Sequence, residues 1–171
     1  IIAVNQPLDL PCAEAIAEIF SEVIIAPGFA PDALALLQKK KNLRLLKVLK
    51  SPLANAPWDL RSVGAESYLW QARDLKIATA ADLKVVTKRP PTEAELRAML
   101  FGLRVVKHVK SNAIVYAKGN RTIGIGAGQP SRIMSAKIAV LKAEEAKLEV
   151  RDSVMASDAF FPFRDSVGAA A

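Results

Sequence analysis

Apolar residues in the first 48 positions fall into short β-branched runs separated by short helical patterns. Ile1-Ile2-Ala3-Val4 is consistent with a buried strand, and Val23-Ile24-Ile25-Ala26 repeats the signal before Pro27-Gly28 stops it. Between them Pro7 and Pro11 mark a turn, and Ala13 to Phe20 predicts a short helix with Ile16, Ile19 and Phe20 on one face. Pro31 suits the first turn of a second helix, where its missing N–H costs nothing. That helix turns Leu34 and Leu37 inward and ends in Lys39-Lys40-Lys41, charges that suit a helix C-terminus. Leu43 to Val48 alternates as a third strand. The β-α-β-α-β order predicts an α/β fold, a sheet with parallel pairs and covering helices.

Residues 49–91 show weak periodicity bracketed by Pro52, Pro57, Pro90 and Pro91. They read as a crossing segment in which Ser67 to Gln71 could be an edge strand. From residue 92 the pattern sharpens. Thr92-Glu93-Ala94-Glu95 fits a capping box, and the helix it opens carries Leu96, Met99, Leu100, Leu103, Val106 and Val109 at three-to-four spacing. Ala113 to Ala117, Lys118-Gly119-Asn120 and Arg121 to Ile125 read as a strand, a tight turn and its hairpin partner. A long amphipathic helix is predicted over Pro130 to Lys147, then a strand near Val150 to Ala156. The chain thus divides into 1–48, 49–91 and 92–171.

Composition narrows the chemistry. The 171 residues, 51% hydrophobic and 24% charged, are enough for one full domain or two small ones and exclude a disordered chain. Cys12 is the sole cysteine, which excludes an internal disulfide framework and fits a reducing, cytoplasmic location. Cys12 and His108 fall short of the three or four ligands of a zinc site, and no acidic cluster suggests a harder metal, so no metal is expected. No apolar run reaches the roughly 18 residues of a membrane helix, and residues 1–10 lack a secretory pattern. The net charge of +7 implies attraction to anionic ligands without naming one. A start on Ile1-Ile2 and an end on Ala169-Ala170-Ala171 lead us to expect an excised piece of a longer protein.

Candidate chemistry concentrates in two stretches. Gly124-Ile125-Gly126-Ala127-Gly128-Gln129-Pro130-Ser131-Arg132 leaves a strand and enters a helix, so a ligand could approach its backbone closely. Gln129 breaks the dinucleotide fingerprint, and the Gly-Lys-Ser/Thr ending of a P-loop is absent. A tight turn with close helix packing explains the glycines equally well. Arg132 sits badly against the positive end of the helix dipole, which suggests an anionic partner. In Ser157-Asp158-Ala159-Phe160-Phe161-Pro162-Phe163-Arg164-Asp165, three Phe around a Pro make an apolar wall suited to a flat heteroaromatic ligand, or a hydrophobic plug. Lys107-His108 lies at the boundary of a helix's core face and reads as structural or surface. The basic run Lys39 to Lys50 is interleaved with Leu rather than aromatic residues, which disfavours nucleic-acid binding.

These two stretches, with Ser111-Asn112-Ala113-Ile114-Val115-Tyr116-Ala117-Lys118 ahead of them, resemble three signature blocks of the AICAR formyltransferase/IMP cyclohydrolase (PurH) family, in its transformylase region. Val23-Ile24-Ile25-Ala26-Pro27-Gly28-Phe29, Lys39-Lys40-Lys41-Asn42-Leu43-Arg44 and Ala80-Ala81-Asp82-Leu83-Lys84-Val85-Val86-Thr87 are similar to the same family. The resemblance implies formyl transfer from 10-formyltetrahydrofolate to the 5-amino group of AICAR in purine biosynthesis, without a metal. It also implies a homodimer and a fold of cytidine-deaminase-like units, layered sheets with covering helices. Here the chain would hold the second half of one unit, 1–48, and the first half of the next, 92–171, which could pair as a permuted sandwich or leave open sheet edges that demand a partner.

Carried over by position, Asn112 matches an Asn beside the reacting centre. Arg132 and Ile133 match positions lining the folate and nucleotide pocket. Phe160, Pro162 and Phe163 match the wall around the pterin and imidazole, and Asp165 a carboxylate that addresses the pterin. Lys41 matches a basic position near the folate's glutamate tail, and Glu22 an acidic position near AICAR. The family's catalytic Lys-His pair has no counterpart here, since Lys107-His108 is a different one, so the isolated chain is expected to be inactive. A non-catalytic folate or nucleotide-binding module is the first alternative, and a basic nucleic-acid-binding protein the second. Arg61 to Gln71 departs from the family, placing bulkier, charged residues over a Gly-Gly-Leu-type stretch.

Overall fold

A computed structural model describes residues 1–50, 57–161 and 164–168, without the side chains of residues 165 and 166. Pro52, Pro162 and Phe163, singled out above, lie outside the described residues. The fold is mixed α/β, and its contacts divide the chain into two units, Ile1–Asp74 and Leu75–Ala171. Residues 49–91 supply a hairpin to the first and an extended stretch with a single 3-10 turn to the second.

In the first unit, strands β1 (Ile2–Ala3), β2 (Val23–Ala26) and β3 (Arg44–Lys47) form a parallel sheet with β2 in the centre. Helices α1 (Leu10–Ala17) and α2 (Pro31–Leu37) connect them and pack against each other. Ile24 and Ala26 alternate into a core with Leu8, Ala13, Ile16, Ala33 and Leu37, as a period of two requires. The first helix begins three residues earlier than its apolar pattern predicts. Asp9 caps it by accepting from the Cys12 N–H at 3.1 Å, and Pro11 occupies its first turn. It therefore ends at Ala17, which corrects the predicted inner face: Ile16 is buried, but Ile19 and Phe20 lie past the end, 55% and 91% exposed.

The same unit carries a hairpin of β4 (Trp58–Gly64) and β5 (Ser67–Ala72), where only an edge strand over Ser67 to Gln71 was expected. Trp58, Leu60, Tyr68 and Trp70 share one face and are all exposed. The turn places Ala65 and Glu66 at φ of 47° and 59°. Left-handed backbone costs roughly 1–2 kcal/mol per residue outside glycine and, less strictly, Asn or Asp.

In the second unit, β6 (Ile114–Lys118) lies between antiparallel neighbours β7 (Arg121–Gly126) and β8 (Val154–Ser157). Helix α3 (Glu93–Val106) covers one face and α4 (Arg132–Glu145) the other. Ile114 and Tyr116 point to the α4 side with Ala136, Ala139 and Ala143, while Ala113 and Val115 point to the α3 side with Val106 and Ala156. The capping box is present: Thr92 accepts from the Glu95 N–H at 3.2 Å, and Glu95 from the Thr92 N–H at 2.7 Å. Arg89, with that backbone bond, holds the Glu95 carboxyl down to about 2. A short helix α5 (Asp165–Gly168) ends the described chain. The predicted long helix stops at Glu145, and Lys147 (φ 57°) and Asp152 (φ 59°) turn the chain, so β8 starts later than its apolar run.

Helix α4 touches β7 backbone to backbone. A Cβ at Gly124 would lie 2.0 Å from the Ala139 carbonyl oxygen, and one at Gly126 only 1.8 Å from that of Ser135. Neither neighbour is a flexible side-chain end, so the helix itself would have to move.

Two predictions follow from these backbones. Gly126→Ala should destabilise the second unit by more than about 3 kcal/mol, whereas Gly119→Ala, at φ 58° with open space around it, should cost only about 1 kcal/mol. Urea titration followed by circular dichroism separates the two. Ala65→Asn with Glu66→Gly should relieve the hairpin turn by about 1 kcal/mol or more, seen as slower hydrogen exchange at β4 and β5 amides.

Candidate functional site

The C-terminal end of β8 meets the residues preceding β6 and the start of α4. Asp158 stands at this junction. Its Oδ1 accepts from the Ala113 N–H at 3.0 Å and from Arg132 Nη2 at 3.2 Å, while Oδ2 accepts from the Ser111 hydroxyl. Arg132 Nε donates to Ser157 Oγ at 3.0 Å, and that hydroxyl donates to the Ala159 carbonyl at 2.9 Å. The Arg132 and Asp158 side chains are only 13% and 12% exposed. Burial pushes the Asp158 carboxyl up, but Ser111, the Ala113 N–H and the Arg132 charge outweigh it and hold the group below its usual range. A carboxylate of this chain, Asp158, therefore balances the Arg132 charge at the head of α4. Arg132 Nη1 has no partner among the described residues.

Asn112 is tied to the glycine-rich loop. Its Nδ2 donates to the Gln129 and Pro130 carbonyls, both at 2.9 Å, and its backbone N–H to Gln129 O at 3.1 Å. Its own carbonyl accepts from Ser135 Oγ at 2.6 Å, a hydroxyl on the first turn of α4. With both amide hydrogens committed, Oδ1 is the atom of this side chain left for another group. Gly128 N–H donates to the Lys110 carbonyl at 2.7 Å and closes the loop on the same segment. Ile133, the second residue of α4, is half-buried.

Beside this junction lies a largely apolar cavity of about 620 Å³. Leu83, Val85, Leu96, Met99, Leu103 and Phe161 line it, and Ser157 and Ala159 belong to its wall. The described part of the Phe-rich stretch thus divides: Phe161 lines the cavity, while Phe160 is 78% exposed. Asp165 begins α5, and its side chain is outside what the structure describes. His108 is exposed beyond the end of α3, and Lys107 Nζ donates to the Lys76 carbonyl at 2.6 Å.

Glu22 and Lys41 belong to the first unit, where both line an open cleft of about 690 Å³ with Phe20, Ser21, Asn42 and Arg44. The cleft sits at the N-terminal ends of β2 and β3, and both charged side chains are exposed. Lys40, also in its wall, is pinned by a 2.6 Å bond to the Ala17 carbonyl.

Comparison with known proteins decides the family. The model of the AICARFT/IMPCHase bienzyme family matches residues 1–142. The bifunctional purine biosynthesis protein PurH of Chloroflexus aurantiacus is 58% identical over 170 residues, 99% of this chain and 33% of that protein. The proteins of the same name from Xanthomonas campestris pv. campestris and Chlorobium chlorochromatii are 55% and 51% identical, each over 100% of this chain and 32% of their own length. The chain belongs to the AICARFT/IMPCHase bienzyme family. It spans about a third of the length of the curated relatives it matches.

Asn112, Arg132, Glu22 and Lys41 lie inside the stretch matched by the AICARFT/IMPCHase family. Asp158 and Phe161 lie past its end but within the alignment to the PurH relatives, which spans the whole chain. Sequence reasoning missed Asp158 as a site residue, although it quoted the segment that contains it. The signal was a carboxylate immediately after an apolar strand, with an unbalanced Arg elsewhere needing a partner. It also missed Phe161, because residues 160 and 161 are identical and only the strand's exit direction separates them.

The Asp158 carboxyl is held below its unfolded value near 3.8, so its contribution is fully present above that pH and is lost as pH falls through the lower folded value. Asp158→Asn should cost about 1.5–3 kcal/mol at pH 7, a gap that stays constant down to about pH 5 and narrows below about pH 4. Urea titrations across pH 2.5–7 would show it.

Proposed function

We propose that the second unit carries part of the substrate site of an AICAR transformylase, which moves a formyl group from 10-formyltetrahydrofolate to AICAR in IMP biosynthesis. The supporting observation is that Asn112, Arg132 and Asp158, from three separated stretches, meet beside an apolar cavity. In that reading the Arg132 Nη1 edge meets the nucleotide, with Ile133 beside it. The cavity lined by Phe161 accepts the folate ring system, and Phe160, Pro162, Phe163 and Asp165 are assigned to the same ligand. In the first unit Glu22 is assigned to AICAR and Lys41 to the glutamate tail of the folate. The two units would be halves of cytidine-deaminase-like layers, and two copies would associate as a homodimer.

The chemistry sets what these residues must do. The AICAR amine is a weak nucleophile because its lone pair is delocalised into the ring and carboxamide. As its nitrogen bonds to the formyl carbon, the bond from that carbon to N10 of the folate breaks, the amine loses one proton and N10 gains one. Alignment of both partners supplies a large share of the rate in such a bimolecular step. Asn112 Oδ1 can accept from the attacking amine, because the Gln129 and Pro130 carbonyls hold its NH2 side away. The proton-transfer groups are assigned to parts of the relatives' polypeptide that these 171 residues do not span.

Titration calorimetry of the 171-residue chain with AICAR tests this reading. Saturable binding is expected, weakened at least about tenfold by Arg132→Ala. Release of tetrahydrofolate from 10-formyltetrahydrofolate should not depend on AICAR in this chain. Binding without turnover fits the assignment, while no binding to the unaltered chain overturns it.

A further inference from the structure

We infer that Asp158 is a positioning residue that acts through Arg132, holding the guanidinium so that its Nη1 edge faces an anionic group of the substrate. The inference rests on the transformylase reading above. Asp158 Oδ1 and Ser157 Oγ take Nη2 and Nε, adjacent donors of one planar group, at 3.2 and 3.0 Å. Two contacts of this kind fix the plane of a guanidinium and leave its remaining edge with a set direction. Asp158 is fixed in turn, by the Ala113 N–H on one oxygen and the Ser111 hydroxyl on the other.

Without that carboxylate only the Ser157 hydroxyl, on Nε, would hold the cation where it is. Arg132 is the first residue of α4, where the helix dipole repels positive charge. A free arginine side chain would turn towards solvent and sample many rotamers. Asp158 reverses the local field and orders the side chain before any ligand arrives, so a ligand meets a donor already oriented. Such an ion pair is no stability device by itself, since apolar replacements of similar volume are often as stable. What it fixes is direction.

The experiment is a double-mutant cycle on AICAR affinity with the 171-residue chain. Asp158→Asn should weaken binding about tenfold in the unaltered background and less than about twofold when Arg132 is already Ala. An equal loss in both backgrounds would make Asp158 structural only and overturn the inference. So would an Asp158→Asn chain that binds normally while Arg132→Ala does not, an outcome that leaves the reading of the site intact.

If the unaltered chain fails to bind AICAR, the reading of the site and the substrate half of the inference both fall. A second readout, independent of ligand, tests the positioning half. The Arg132 Nε–H proton should give a resolved, slowly exchanging NMR signal in the unaltered chain, lost in Asp158→Asn and partly regained in Asp158→Glu. An Arg132 signal that exchanges as fast as those of exposed arginines in the unaltered chain overturns it.

Discussion

The second unit is built on a contact that no side chain can enter. The carbonyls of Ser135 and Ala139 lie against the Cα atoms of Gly126 and Gly124, so α4 rests directly on the backbone of β7. Small residues on the facing side of the helix, Ser135, Ala136, Ala139 and Ala143, follow from that distance. The site follows too. Because the helix is pinned so close, Ser135 Oγ reaches the Asn112 carbonyl, and the helix starts where Arg132 can meet Asp158.

Charge is treated differently at this junction and on the surface. Lys76–Asp82 and Arg89–Glu95 are short ion pairs at the margins of the unit, and Arg89 is open to water on most of its surface. Pairs of that sort contribute little and fade with salt. Arg132 and Asp158 are almost entirely withdrawn from solvent, where an unpaired partner would be costly. Asp158 also accepts from the Ser111 hydroxyl and the Ala113 N–H, and Arg132 also donates to the Ser157 hydroxyl, so the pair survives the loss of water. The price is rigidity at the one place where three stretches of chain must agree on their positions.

Much of this was legible in the sequence, for identifiable reasons. The strand, tight turn and hairpin partner at 113–125 were readable because β-branched residues flank a Gly-Asn turn, and the capping box at Thr92 because its two residues interact locally. The first helix was displaced because Asp9 and Pro11 signal a start that the apolar spacing of Ile16, Ile19 and Phe20 conceals. Strand β4 was missed because Asp59, Arg61 and Ser62 break the apolar run and both faces are exposed, so no burial pattern marks it. Of the site, Arg132 and Asn112 could be singled out in sequence, but not their connection. A hydrogen bond between positions 111 and 158 has no local signature.

The two tryptophans of the chain, Trp58 and Trp70, both sit on the exposed hairpin, with ring centres 5.3 Å apart and planes at 60°. Neither core contains an indole. Tryptophan emission from this molecule is therefore a private signal of β4 and β5, and it is blind to the packing of α4 on β7. An optical melting curve recorded that way would follow the hairpin while the sheet that carries Arg132 went unobserved. Tyr116, buried on β6, is the chromophore placed to speak for that sheet.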